Sequence, residues 1–255
     1  MKFIPLFKKE LKGYFISPIA YVVLITFGLI SGYIFYALCA SFNLISIRIS
    51  TYPYYGYKIN PTEMIATPFF HNMAITSLFM LPLLTMRLFS EEKRSDTIEL
   101  LFTYPLRDID ILLGKFFASL LIYIFMIGIS VIHFSMLELW ADLEKKLLLN
   151  AYLGLVLQGG AFISVGIFIS SLTENQIIAA TITFGLLLLF WLLSWVSDIV
   201  GEKYRELFSY ISFFRHYGNF PEGILDTRDV VYYLSFIVFF QFLTLRILSS
   251  KKYRG

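Results

Sequence analysis

The chain has 255 residues, of which 58% are hydrophobic, 18% aromatic and only 15% charged, whereas soluble domains carry about 25% charged residues. That balance excludes an ordinary soluble domain and points to a chain that spends much of its length in lipid. A net charge of +3 is too small to argue for nucleic acid, and a single cysteine, Cys39, excludes an internal disulfide.

The first stretch, Met1 to Phe15, is amphipathic. Phe3, Phe7, Leu11 and Tyr14 or Phe15 recur at helical spacing, with Lys8, Lys9 and Lys12 mainly between them. Such a helix rests in the membrane interface with its cations toward anionic lipid headgroups. A cleaved signal peptide is not expected, because the uncharged run that follows extends from Gly13 to Ile47, far beyond an apolar region of roughly 7–15 residues.

Six uncharged intervals follow, each able to supply the roughly 20 apolar residues that a spanning helix needs. The expected spans lie near 19–40, 66–87, 116–137, 150–172, 176–197 and 230–248. A charge at a span centre costs about 2.5–3.5 kcal/mol, so charge-free intervals carry the reading. The fourth and fifth spans are parted only by a tight turn near Thr173-Glu174-Asn175 and form a hairpin. With the N-terminus cytosolic, 13 of the 21 Lys and Arg residues fall on the cytosolic side and eight on the other. This predicts both termini inside. The expected fold is therefore an all-α membrane protein, one membrane domain of six transmembrane helices with an amphipathic N-terminal interfacial helix. Between the last two spans, Asp198 to Asp229 is too apolar for a solvated loop. It reads either as short helices on or in the outer leaflet or as a compact loop packed on the helix ends.

The segment Ser90 to Lys115, SEEKRSDTIELLFTYPLRDIDILLGK, is dense in charge between two membrane-length apolar segments, so it sits in water against the membrane face. Ser90 is expected to cap a helix with Glu91 and Glu92 in its first turn, and Asp96 with Glu99 has capping-box spacing. Ile98, Leu101 and Phe102 offer an apolar face, Pro105 stops the helix, and Asp108 caps a new helix through Gly114 and Lys115 into the third span. A helix, break, helix element fixed to two spans suits docking better than mere connection. Charge reversal at Glu91, Glu92 or Arg94, or proline at Leu100, is expected to uncouple it.

This segment resembles the loop of type-2 ABC exporter permeases, E-[KR]-R-x-G-T-[IL]-E-L-L-L-T-x-P followed by G-K-F. Glu92, Lys93, Arg94, Thr97, Ile98, Glu99, Leu100, Leu101, Thr103, Pro105, Gly114, Lys115 and Phe116 match; Asp96 stands where the family usually has Gly. The later stretch FFRHYGNFPEGILDTRDVVYY is similar to the gliding-motility-associated branch, with a related branch in copper-site maturation as the alternative. The resemblance implies a permease half of a bacterial inner-membrane exporter. It would dock on a cytosolic ABC ATPase subunit and pair as a homodimer or with a sister permease. ATP and Mg would be bound by the partner, since the chain has no G-x-x-x-x-G-K-[ST] loop. The coupling residues would be Glu91, Glu92, Lys93, Arg94, Thr97, Ile98, Glu99, Leu100, Leu101, Pro105, Gly114 and Lys115, together with Phe3, Phe7, Lys8, Lys9, Leu11 and Lys12 of the N-terminal helix.

Other chemistry is weakly signalled. His71, His133 and His216 are far apart and no H-E-x-x-H occurs, so no metal site is expected. His71 and His133 read as hydrogen-bonded packing residues. Gln158, Gly159, Gly160 and Ser164 suit a close helix contact better than a lined path. An ion-coupled secondary transporter is the main alternative, although the spans lack Asp, Glu, Lys and Arg at their centres. An intramembrane enzyme built on Glu91-Glu92 is weaker still, because the E-E-x-x-x-R pattern of prenyl-processing proteases is not completed.

Overall fold

The computed structural model describes residues 3–51, 60–97, 107–199 and 210–252. Among these, the secondary structure is helical throughout, with no strand. Helix α1 runs Phe3–Ile16 and α2 Pro18–Thr51. A π-helical turn, Thr62–Ala66, leads into α3, Thr67–Thr85, and then α4, Arg87–Arg94. Helix α5 covers Asp108–Glu138, α6 Lys145–Leu172 and α7 Gln176–Ile199. The short α8, Phe213–Gly218, and a 3-10 turn, Phe220–Glu222, precede α9, Thr227–Lys252.

Six of these stretches are long and apolar enough to cross a membrane: α2, the run from Thr62 to Arg94, α5, α6, α7 and α9. Helix α2 outlasts its expected span by eleven positions; its 34 residues reach about 51 Å at 1.5 Å per residue. That exceeds a hydrocarbon core of about 30 Å. The uncharged run ends at Ile47, but nothing between Ala40 and Thr51 breaks a helix.

Helix α6 is the hub, buried over most of its length because its small residues let other helices close in. A Cβ at Gly159 would fall 2.0 Å from Tyr123 of α5, and one at Gly166 would fall 2.0 Å from Thr85 of α3. Gln158 and Ser164 are buried on the same helix, and Gln241 of α9 donates to Ser164 Oγ at 3.3 Å. The small-residue stretch of span four is thus a packing surface. By contrast α2 and α9 keep broad apolar faces exposed, such as Leu29, Tyr33 and Tyr36 on α2 and Val238 and Phe239 on α9.

Where described, the segment before α9 forms two short helical turns, α8 and Phe220–Glu222, packed into the helix ends. Phe213 meets Phe162 of α6, Phe190 of α7 and Phe236 of α9 at ring distances of 5.3, 5.2 and 4.6 Å. Thr67 donates to Pro221 O and Asn150 to Gly223 O. Residues 200–209 lie outside the described residues. The turn over 173–175 joins α6 and α7 as a hairpin, with Asn175 Oδ1 accepting from Ile177 and Ile178 amides as a cap.

Candidate functional site

The charged segment and the N-terminal helix meet at one lysine. Lys115 sits in the second turn of α5 and is 1% exposed. Its ammonium lies 3.0 Å from Glu10 Oε1 of α1 and 3.0 Å from Glu92 Oε1 of α4. The ring of Phe89 is 5.0 Å away. Glu10 and Glu92 are 14% and 15% exposed, and the freely solvated Lys9 approaches Glu92 at 3.6 Å. A lone buried ammonium is costly, so two carboxylates holding it from two other helices lock three elements together.

Gly114 explains why α1 comes this close. A Cβ there would stand 2.9 Å from Leu6 Cδ2, so the glycine leaves room for Leu6 where α1 lies on α5. Further along, the Tyr14 hydroxyl reaches 3.0 Å from Leu84 O and 2.8 Å from Ser119 Oγ. The Arg87 guanidinium covers the Tyr14 ring at 4.7 Å. Burial pushes the Tyr14 phenol well above its ordinary range, opposed by the Ser119 hydrogen bond and by Arg87. Tyr14 is a neutral hydroxyl wedge between α1, α3 and α5.

Helix α4 is set off from α3 by a break at Met86, where the chain passes Pro82. The Ser170 hydroxyl of α6 enters this break. It accepts the amides of Phe89 and Ser90 at 3.0 and 3.1 Å and donates to Met86 O at 3.0 Å. A side chain inserted in the backbone ladder is a recognised cause of a kink. Lys93 Nζ donates to Ser171 O at the end of α6. Helix α4 is therefore held by α1 and α5 on one side and by the end of α6 on the other.

Two capping expectations are corrected. Ser90 does not open a helix; it is buried within α4, its hydroxyl bonded to Met86 O, because the helix already starts at Arg87. Glu91 and Glu92 consequently lie in the last turns, where the dipole disfavours anions, and Lys93, Arg94 and Lys115 supply the opposing charge. The expected capping box of Asp96 with Glu99 extends beyond the described residues; Asp96 itself follows the end of α4 with φ 53°. Asp96 N donates to Lys93 O and Thr97 N to Glu92 O, the paired bonds of a Schellman cap. That left-handed position is where glycine is favoured, so Asp96 keeps the backbone shape that glycine would take. Asp108 starts α5 as its first residue, with Arg107 in the capping position.

Of the other expected residues, Phe3 packs against Phe117 of α5 and against Phe7, and Phe7 and Leu11 pack on the core. Lys8, Lys12, Glu91, Arg94 and Thr97 are exposed. Ile98, Glu99, Leu100, Leu101 and Pro105 lie outside the described residues. A cleft of about 560 Å³ opens between α1 and α4, with Lys9, Glu10, Arg87, Glu91, Glu92 and Thr97 on its walls. Sequence reasoning missed Glu10, Arg87, Ser119 and Ser170. Glu10 alone carried a signal, as the one acid in a lysine-rich amphipathic helix.

His71 bonds Thr67 O at 2.9 Å and packs beside Phe214 and Tyr217. His133 stacks on Phe35 at 5.1 Å. Among the described residues no cluster of His, Cys, Asp and Glu could hold a metal.

The sequence profile of the ABC-2 family transporter protein matches residues 7–254. The chain belongs to this family. As an ABC-2 permease it is a multi-pass membrane subunit of an ABC transporter, a class that normally works with a cytosolic ATPase. No curated protein matches the chain. In ABC-2 terms, the Lys115 node lies between the N-terminal helix, the end of the second span and the start of the third.

Proposed function

We propose that this chain is the permease subunit of an ATP-driven exporter in a bacterial inner membrane. In this reading both termini face the cytosol, and α1 lies in the membrane interface. The cleft between α1 and α4 then faces the ATPase subunit, which binds ATP and Mg. ATP-driven movement of that subunit pushes α4, and the Lys115 node passes the push to α1 and α5 while Ser170 and Ser171 pass it to α6. Two such halves pair, as a homodimer or with a sister permease. The chain itself catalyses nothing in this scheme. The observation that carries the reading is the three-helix ion node at the matched Gly114-Lys115 pair, in a chain of the ABC-2 family. The similarity of FFRHYGNFPEGILDTRDVVYY to the gliding-motility-associated branch favours an exporter of that branch.

The test is co-purification from native membranes in mild detergent, with mass spectrometry of what stays bound. A Walker-type ATPase should accompany the chain and be lost when 91–105 is replaced by a flexible linker. A second permease in the sample would show a heterodimer. An intact chain that carries no ATPase, under conditions that preserve other transporter complexes, would return the ion-coupled transporter to first place.

A further inference from the structure

The stretch just before the last span carries a buried histidine–aspartate pair that the proposed coupling path does not use. His216 of α8 has its Nδ1 2.7 Å from Asp229 Oδ1 and its Nε2 2.9 Å from the carbonyl of Tyr210. Both side chains are buried, 10% and 7% exposed. A carbonyl oxygen only accepts, and so does an ionised carboxylate, so both ring nitrogens need protons. A neutral imidazole has one N–H and serves one of the two. Asn219 donates to Asp229 Oδ2 at 2.8 Å, so Asp229 holds α8 at two points. The His216 ring also lies flat on Tyr232 at 3.9 Å, the placement that suits a cation over an aromatic face.

We infer that the His216–Asp229 pair is a proton-dependent latch that fastens α8 and the chain before it to the first turns of α9. The groups facing His216 are Asp229 and Tyr232 of α9 and Tyr210 of its own segment. The rings of Phe190 and Trp191 of α7 and of Phe162 of α6 meet α8, and from α3 His71 lies across Phe214 and Tyr217. Among the described residues these supply no second cation for Asp229. Loss of one proton leaves a single N–H for two acceptors and a buried carboxylate without its counter-charge. The latch is therefore closed while both ring nitrogens carry protons and opens when one is lost. Because α8 is wedged among α3, α6, α7 and α9, opening loosens the end of the bundle opposite the termini.

The experiment places spin labels on Arg215→Cys and Leu149→Cys in a Cys39→Ser chain, diluted with unlabelled protein in lipid nanodiscs. Distances are read from about pH 5 to about pH 9, which brackets the ordinary imidazole range near 6.5. One population at low pH should give way reversibly to a second as pH rises. His216→Gln should show the second population at every pH. An unchanged distribution across the range overturns the latch, and so does the same pH profile in His216→Gln. If that variant does not fold, ¹⁵N resonances of His216 in the unsubstituted chain decide the matter. Two protonated ring nitrogens are expected in the closed state, and one bare nitrogen there overturns the inference. None of these readouts depends on the ATPase, so the latch and the exporter reading stand or fall separately.

Discussion

Leu6 occupies the space that any side chain at Gly114 would need: a Cβ there would lie 2.9 Å from Leu6 Cδ2 and 3.3 Å from Leu6 Cβ. Gly114→Ala should therefore push α1 off α5 and cost about 1–3 kcal/mol, as overpacking does. Thermal unfolding in detergent measures it. Combining the change with Leu6→Ala should recover part of the loss; strictly additive losses would mean the two residues do not press on each other.

Lys115→Met should leave Glu10 and Glu92 facing each other without their cation. Removing one partner from a buried pair costs about 3–5 kcal/mol, and the partial exposure of both carboxylates favours the low end of that range. Adding Glu10→Gln and Glu92→Gln should restore most of the stability, since no unpaired charge remains. A triple variant no better than Lys115→Met would show that the lysine acts through packing alone.

Asp96→Gly should be neutral or stabilising by up to about 1 kcal/mol, because the residue sits at φ 53° in a left-handed position that costs a non-glycine residue about 1–2 kcal/mol. Asp96→Val should loosen the end of α4. Limited proteolysis of 94–107 reads the difference: slower cleavage than the parent for glycine, faster for valine. Equal rates for both would argue against the cap.

Ser170→Ala should deprive two amides, Phe89 N and Ser90 N, of their acceptor. Leaving buried donors unpaired costs about 1–3 kcal/mol. Hydrogen exchange should rise at these two amides before the rest of α4. Unchanged protection at Phe89 and Ser90 would mean the break at Met86 holds without the α6 hydroxyl.

Much of the architecture was readable from hydropathy, because spanning a membrane is a property of about 20 consecutive residues and needs no knowledge of neighbours. The charge-free intervals, the turn at 173–175 and the helical stripe near the N-terminus are local patterns of this kind. The same local reading misplaced the caps at Ser90 and Asp108. Each has a side chain that suits a helix start, but the chain is already helical from Arg87, with Ser170 bonded across the break at Met86, and α5 takes Asp108 as its first residue after Arg107.

The amino-acid sequence by itself determined an all-helical chain with six membrane-length helices and a charged segment between the second and third. Hydrophobic runs and charge placement act over a single helix, and lipid enforces them directly. Only the tertiary structure decided that Lys115 pairs with Glu10, 105 positions away, and that His216 is held between Asp229 and Tyr210 O. Those pairings depend on which helix faces meet. Small residues at the crossings, Gly114 under Leu6 and Gly159 under Tyr123, set that, and their effect exists only once the helices are packed.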